Sequence, residues 1–276
     1  MSRTSRASIV PGPAAITDGN GRPAGSIAAC ALAIMTKAPT AGTVKTRLVP
    51  PLTPDEAATL QACFLKDTAE SIAALGARGR AGIAVYTPEG TEPLFRELLP
   101  PGFTLVPQRG EGLGDRLRNA AVDIFAEGYA TVCLVDSDSP TLPPAALVRA
   151  AAALEQPGER IVLGPADDGG YYLIGVKASR PRLFADIAWS TDSVLAQTVA
   201  RARELRLEVE LLPSWYDVDD GPSLRRLCEE LVPDAPASAA SPGYAAPHTR
   251  SYLRRLVAAG APRIWPKRFS KGRRSS

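Results

Sequence analysis

Short apolar runs alternate along this chain with longer segments of helical periodicity. Between residues 28 and 150, four strand-like runs are each followed by a segment whose apolar residues recur at helical spacing. Such an order is typical of a parallel sheet with helices on both faces. The sequence therefore predicts an α/β fold with a mostly parallel central sheet.

The predicted elements can be placed by their boundary residues. The strands are expected at residues 28–35, 82–87, 103–107, 131–135, 161–164, 171–176 and 208–212, and the helices at 53–75, 92–99, 112–127, from about 143, and at 193–205 and 222–231. Thr53, followed by a proline and two acids, has the form of a helix start.

Two segments of different composition flank this pattern. Residues 1–26 are rich in Gly, Pro, Ala and Ser, which predicts a disordered tail before one domain at 27–232. Residues 233–276 are expected to be a linker and a basic tail, with one basic amphipathic helix near 249–259. The apolar run at 27–35 is too short to span a bilayer, which favours a first strand over a signal peptide and predicts a cytoplasmic protein.

Charge is unevenly distributed along the chain. The net charge is +3, but residues 233–276 carry nine Lys or Arg and one acid, so the tail is +8 and the remainder −5. An acidic body argues against a nucleic-acid-binding face. The basic tail is either solvated or makes a weak contact with an anionic membrane surface.

Cysteine and histidine usage excludes several kinds of site. The four cysteines are far apart and form no C-x-x-C pair, so they are expected to be buried thiols in a reducing compartment. His248 is the single histidine and lies in the tail region. A His-dependent triad or a multi-histidine zinc site is therefore excluded within the core.

The loop M-T-K-A-P-T-A-G-T-V-K-T-R-L after the first strand combines cations with small residues. Lys37, Lys45 and Arg47 can satisfy several anionic oxygens, and Gly42 lets the backbone approach closely. It is not a Walker A loop, because Gly42 is separated from Lys45. The loop is either a phosphate-binding element or an ordinary surface loop.

Carboxylates follow two of the predicted strands. Asp136 and Asp138 come directly after the strand at 131–135, at the strand end where α/β proteins bind ligands, and Asp217 and Asp219 follow the strand at 208–212. If these strands are parallel neighbours, the acids share one rim and suit Mg2+. The alternatives are an acidic turn for the first pair and a helix cap for Asp219 and Asp220, with capping and ligation equally favoured for Asp220.

The segment G-P-A-D-D-G-G-Y-Y-L-I-G at residues 164–175 permits close backbone approach to a ligand. Asp168, Gly169, Gly170 and Tyr171 are the candidate contacts, and a type I′ hairpin turn is the alternative explanation. Trp189 either walls a pocket or lies in the core.

Taken together, M-T-K-A-P-x-x-G-x-V-K-T-R-L, V-D-S-D-S-P, D-D-G-G-Y-Y-L-I-G and Y-D-V-D resemble a bacterial family of GT-A-type transferases. Members are known as glycosyltransferases or as radical-SAM/selenodomain-associated transferases. The family is similar to the nucleotide-diphospho-sugar transferase superfamily, which includes phospholactate and phosphoenolpyruvate guanylyltransferases. The resemblance covers residues 28–231 and leaves out both tails.

This resemblance implies a Rossmann-like GT-A fold that binds an NTP or a nucleotide sugar with Mg2+ or Mn2+. It places the nucleotide on the first loop, the metal on Asp138, with Asp136 beside it, and on Asp219, and the acceptor on the D-D-G-G-Y loop. From their positions in the sequence, Asp136 is a further candidate for nucleotide contact and metal ligation, and Trp189 is one for acceptor contact. Lys45, Arg47 and Asp138 are the implied catalytic residues. The family pattern D-[IV]-[DN]-T-P-E-D reads D-V-D-D-G-P-S-L here, which makes the following helix cap less certain.

Three functions are compatible with these features. A glycosyltransferase acting on a small-molecule or lipid-linked acceptor agrees with the family, and a nucleotidylyltransferase releasing pyrophosphate agrees with the basic V-K-T-R-L loop. A non-catalytic nucleotide-binding protein is the third. The base, the sugar, the acceptor and the oligomeric state are not indicated by the sequence.

Overall fold

The structure, a computed structural model, describes residues 30–76, 80–232 and 243–259. The tail predicted at residues 1–26 lies outside them. The strands are β1 Cys30–Lys37, β2 Arg80–Thr87, β3 Thr104–Pro107, β4 Thr131–Val135, β5 Arg160–Pro165, β6 Tyr171–Val176 and β7 Glu208–Leu211. The helices are α1 Pro54–Ala73, α2 Glu92–Leu98, α3 Leu113–Ala126, α4 Pro144–Glu155, α5 Val194–Glu204, α6 Gly221–Leu231 and α7 Pro247–Ala258.

The seven strands form one sheet in the order β3-β2-β1-β4-β6-β5-β7. Strands β1 to β4 run parallel, β6 is antiparallel to both of its neighbours, and β5 pairs in parallel with β7. The predicted α/β fold with a mostly parallel sheet is confirmed. Because β6 alone is reversed, β5 and β7 run in the same direction as β1 to β4. Six strands thus open their carboxyl ends onto one edge, where loops can gather ligand-binding groups.

Helices cover both faces of the sheet, as the side-chain alternation along β1 requires. Leu32 and Ile34 pack in the same buried cluster as residues of α1, α2 and α4. Ala31 and Ala33 alternate with these residues along the strand, and they pack on the opposite face in a cluster with residues of α3 and α5. The predicted start of α1 is also confirmed, because Thr53 and Glu56 form a reciprocal capping box.

Helix α7 extends the ordered core beyond the expected domain end at residue 232. Its buried residues Tyr252, Leu253 and Leu256 pack in a third cluster with parts of α1 and α6. The amphipathic helix expected near residues 249–259 is therefore present as α7. It contributes to the core, which was not expected, because its apolar stripe has a partner surface that the local pattern does not reveal. Residues 233–242 and 260–276 of that segment lie outside the described residues.

All four cysteines are free thiols. Cys30, Cys133 and Cys228 are buried as expected, whereas Cys63 is only half-buried. In the described part of the chain, no helix has the length and apolar character needed to cross a bilayer.

Candidate active site

A cavity of about 420 Å³ opens at the carboxyl ends of β1, β2 and β4. The loop after β1 forms one wall through Lys37, Thr43 and Lys45, and Asp138 after β4 faces it. Parallel strands end here because each returns through a helix on a face of the sheet. The predicted position of the site at this sheet edge therefore coincides with a real cavity.

Lys45 is the buried centre of the site. Its side chain is 4 % exposed, and its ammonium nitrogen lies 2.7 Å from a carboxylate oxygen of Asp138 and 2.7 Å from one of Asp219. Burial alone would lower the pKa of Lys45, but the two adjacent carboxylates outweigh it and raise the pKa above its usual value. Lys45 adopts a left-handed backbone conformation with φ 49°, which turns the loop so that the side chain points inward.

Asp138 and Asp219 meet by a different route from the one expected. Strands β4 and β7 are not neighbours, because β6 and β5 lie between them. Beyond β7 the chain continues along β5, where Trp215 N–H donates to Pro165 O at 3.0 Å. It then reaches the segment after β4, where Val218 N–H donates to Asp138 O at 2.9 Å. The irregular segment after β7, and not strand pairing, brings the two carboxylates together.

Two further carboxylates surround this pair. Asp136 accepts a hydrogen bond from the Ser139 hydroxyl at 2.8 Å. Burial, and then the charge of Asp138, raises the pKa of Asp136 well above its usual value. Burial, and then the charge of Asp219, raises the pKa of Asp217 to about 6. The site therefore concentrates more negative charge than Lys45 alone balances.

The other predicted residues of the first loop have separate positions. Lys37 lines the cavity and donates from its ammonium to Thr43 O at 2.9 Å, which ties the loop to β1. Gly42 has φ +74° and does not line the cavity, so its role is to form the turn. Arg47 is 75 % exposed, contacts Asp219 at 3.0 Å and lines neighbouring cavities instead of the first one.

A second cavity, of about 360 Å³, adjoins the first. The D-D-G-G-Y segment is the turn between β5 and β6, and Asp168, Gly170 and Tyr171 line this cavity together with Trp189. Gly169 does not line it but has φ +88°, and a Cβ there would lie 2.2 Å from Asp192 O. The segment both connects two strands and forms a cavity wall, so a turn and a ligand contact are compatible roles for its glycines.

Asp220 is a helix cap. Its carboxylate accepts from Ser223 N–H at 2.9 Å, and the reciprocal bond completes a capping box at the start of α6. The altered family pattern thus retains a cap, because Ser223 replaces the usual acid as the reciprocal partner.

Several residues that line the first cavity were not predicted. Gln108 donates from its side-chain amide to Thr36 O and Val85 O, both at 2.9 Å, and Gln61 donates to Ser137 Oγ at 3.1 Å. Arg116 and Leu113 lie on α3, and Leu113 is 46 % exposed where it borders the cavity. A lone glutamine or arginine carries no local signal of a site, so these positions follow only from the tertiary structure.

The carboxylates present fit a divalent cation in their chemistry. Oxygen ligands from one or two aspartates, completed by water and phosphate oxygens, are what Mg2+ takes. Asp138 and Asp219 supply such oxygens, but the Lys45 ammonium lies between them and would have to move aside. These two aspartates, with Asp136 beside them, are therefore the residues that would hold the ion.

A different cluster of potential metal ligands lies between α1 and α7. Among the described residues, Asp67, Glu70 and His248 bring one ligand atom each within 4.8 Å of one another. Asp67 is fully buried and accepts from the N–H groups of His248 and Thr249 at 3.0 and 2.8 Å. These bonds satisfy the first turn of α7, so the cluster already has a structural role.

Comparison with known proteins indicates the family to which the chain belongs. The DUF2064 family, described as "Uncharacterized protein conserved in bacteria", matches residues 71–191. A crystal structure from Desulfovibrio desulfuricans, assigned to the nucleotide-diphospho-sugar transferases, is 32 % identical, covers 83 % of this chain and 95 % of its own, and has a TM-score of 0.72. No curated protein matches the sequence significantly.

Two more distant structures come from Mycobacterium tuberculosis. The protein Rv0371c is 20 % identical over 74 % of this chain and 98 % of its own, with a TM-score of 0.45. Glucosyl-3-phosphoglycerate synthase is 12 % identical over 70 % of this chain and 71 % of its own, with a TM-score of 0.46.

Proposed function

Because this chain belongs to the nucleotide-diphospho-sugar transferase family of the Desulfovibrio protein, we propose that it is a metal-dependent transferase with a nucleotide-activated donor. Its most favoured activity is glycosyl transfer from a nucleotide sugar. The observation that carries this proposal is the contact of buried Lys45 with both Asp138 and Asp219 beside the first cavity. A buried lysine held between two carboxylates at the wall of a cavity is a charge cluster typical of a functional site.

The two cavities suggest separate places for donor and acceptor. The nucleotide would occupy the first cavity, with its phosphates toward Lys37 and Lys45. The acceptor would occupy the second cavity, against the segment 168–171 and Trp189. Because both cavities share Asp138 and Asp219, the two substrates would meet at the carboxylates.

Each charged residue has a defined part in this proposal. When bound, a divalent ion supplies charge neutralisation for the departing nucleoside diphosphate. Asp138 and Asp219 would hold it, and Asp136 would assist directly or through water. Lys45 and Arg47 would stabilise the charge that develops on the phosphates. For a buried donor such as Lys45 this contribution is about several kcal/mol, whereas Arg47 is exposed.

Nucleotidylyl transfer is the second candidate, and one observation favours it. Lys45 and Arg47 both contact Asp219, at 2.7 and 3.0 Å, so two cations lie close to where an α-phosphate and a departing pyrophosphate would need them. A non-catalytic nucleotide-binding protein is the third candidate, although binding alone needs fewer converging charges.

An activity screen separates these candidates. The purified protein is incubated with Mg2+ or Mn2+ and a panel of NTPs and nucleotide sugars, and pyrophosphate, nucleoside diphosphate and thermal shift are measured. Release of UDP or GDP supports glycosyl transfer, and release of pyrophosphate supports nucleotidylyl transfer. Absence of any metal-dependent thermal shift with every nucleotide would contradict the proposal.

A variant tests the metal assignment directly. Asp138→Ala should abolish metal-dependent nucleotide binding, because it removes one of the two carboxylates that meet at Lys45. Asp55→Ala, at an exposed acid in the first turn of α1, is the matched control and should bind normally. Unchanged nucleotide affinity in the Asp138 variant would rule out this ligand.

The remaining expectations are part of the same proposal. The acceptor would be a small or lipid-linked molecule and not a nucleic acid, and the protein would act in the cytoplasm. Membership of the radical-SAM/selenodomain-associated branch and a weak contact between the basic C-terminal segment and an anionic membrane surface are proposed on the sequence alone.

A further inference from the structure

The two cavities differ in charge. The first is lined by three cations, Lys37, Lys45 and Arg116, as well as by acids. The second is lined by six aspartates, Asp136, Asp138, Asp168, Asp192, Asp217 and Asp219, and by one cation, Arg47. A ligand that enters the second cavity therefore meets mostly carboxylate oxygens.

We propose that the second cavity selects an acceptor that carries hydroxyl or amino groups and no anionic group, with Asp168 and Asp192 as the specificity-determining residues. This inference rests on the proposed function, because it takes the second cavity as the acceptor site. It names the chemical class of that acceptor and excludes phosphorylated and carboxylated ones.

Asp168 and Asp192 matter because they lie outside the carboxylates that meet at Lys45. Asp168 accepts a hydrogen bond from Gly170 N–H at 2.8 Å. Within residues 30–76, 80–232 and 243–259, neither side chain has a cation within ion-pair distance, whereas the adjacent Asp167 is paired with Arg226 at 2.8 Å. Two unpaired carboxylates repel an anion and can accept hydrogen bonds from hydroxyl or ammonium groups.

An aromatic wall indicates the remaining character of the ligand. The rings of Tyr171 and Trp189 meet edge to face, with centroids 6.4 Å apart and planes at 82°. The indole of Trp189 packs directly against Gly114, where a Cβ would lie 2.2 Å from the indole nitrogen. An aromatic surface beside carboxylates suits a molecule with an apolar face and polar edges, such as a sugar or another polyol.

Trp189 also provides a probe of the cavity charge. The protein has three tryptophans, so the Trp189 signal is the difference between the parent protein and Trp189→Phe. Quenching by caesium, acrylamide and iodide is measured in the presence of Mg2+ and a nucleoside diphosphate, and the three quenchers are compared. The quenching constant of each ion for Trp189 is divided by the acrylamide constant. We expect this ratio to be at least about twofold larger for caesium than for iodide, because the local potential is negative.

Matched variants assign this preference to the two carboxylates. The double variant Asp168→Asn and Asp192→Asn should lose most of the caesium preference, whereas Asp55→Asn should retain it. Glucosamine and glucose 6-phosphate are then compared as ligands through the change in Trp189 emission. The expected preference for glucosamine is about tenfold or more, from the sign of the unpaired charges.

The outcomes distinguish this inference from the proposed function. Quenching by iodide equal to or stronger than that by caesium, or tighter binding of glucose 6-phosphate, would overturn the acceptor class even if nucleotide binding is metal-dependent. Conversely, a protein that shows the caesium preference but binds no nucleotide would have a negatively charged cavity and no transferase function. The proposed acceptor class would then be contradicted together with the proposed function.

Discussion

At the scale of single residues, Lys45 has the largest influence on the site. Its ammonium lies between two carboxylates, whose mutual repulsion can be relieved by either an ammonium group or a metal ion. The sequence identified Lys45, Asp138 and Asp219 individually, since each follows a strand in a recognisable motif. It did not show that the lysine is buried between the two aspartates.

Replacement of Lys45 should have opposite effects on metal binding and on activity. Lys45→Met removes the ammonium that competes for Asp138 and Asp219, so Mn2+ affinity without nucleotide should rise by about tenfold, a difference of about 1.4 kcal/mol. Nucleotide-dependent turnover should be lost. Mn2+ binding is followed by electron paramagnetic resonance, with Lys37→Met as the control at an exposed lysine. Weaker Mn2+ binding in Lys45→Met would contradict the competition.

Asp220 should affect stability and not nucleotide binding. Asp220→Ala removes the cap of α6 and should lower the free energy of unfolding by about 1 kcal/mol. Chemical denaturation measures this loss, and Asp220→Asn, which retains a capping oxygen, should be close to the parent protein. A large loss of nucleotide affinity in Asp220→Ala would instead assign Asp220 to the site.

At the scale of secondary-structure elements, close packing fixes the wall of the second cavity. Gly114→Ala on α3 would place a methyl group against Trp189, and the displaced indole should cost about 1–3 kcal/mol of stability. A shift of Trp189 emission is expected with unchanged nucleotide affinity. Gly112→Ala is the matched control, because a Cβ there meets no atom within 4 Å. Identical emission spectra for the two variants would argue against this packing.

Helix α7 depends on a cap supplied by α1. Asp67→Ala leaves the His248 and Thr249 N–H groups without their acceptor, and should lower the free energy of unfolding by about 1–3 kcal/mol. Glu70→Gln leaves both of these bonds intact and serves as the control. The two variants are compared by urea denaturation and by proteolysis of α7. Equal stability of Asp67→Ala and the parent protein would show that α7 does not need this cap.

The elements themselves were largely predictable, since their apolar periods and capping residues are local features. Helix α1 begins at the predicted Thr53 cap, and β4 has the predicted bounds. The packing of α7 was not predictable, because its partner lies on a helix almost two hundred residues earlier in the chain.

At the scale of the whole molecule, charge separates the body from the C-terminal segment. Arg254 and Arg255 are exposed on α7, whose apolar side packs against the core. Vesicles of anionic phosphatidylglycerol should bind the protein, with about 1 kcal/mol per basic residue near the surface, and binding should weaken as salt increases. Co-sedimentation measures this binding, and vesicles of neutral phosphatidylcholine are the control.

A matched pair of variants assigns such binding to this surface. Arg254→Gln with Arg255→Gln should weaken it, whereas Arg203→Gln with Arg206→Gln, at or just after the end of α5, should not. Equal binding to both kinds of vesicle would contradict an electrostatic contact.

The α/β architecture, the order of the elements and the strand-end motifs can be predicted from the sequence, because periodicity, caps and turn residues act over a few neighbouring positions. The order of the strands in the sheet is a different matter: β6 and β5 separate β4 from β7, and Asp219 still reaches Asp138 through the segment after β7. Lys45 lies buried between these two aspartates, and six aspartates share a cavity with Trp189. These features depend on contacts between residues far apart in the chain, and so no local pattern encodes them.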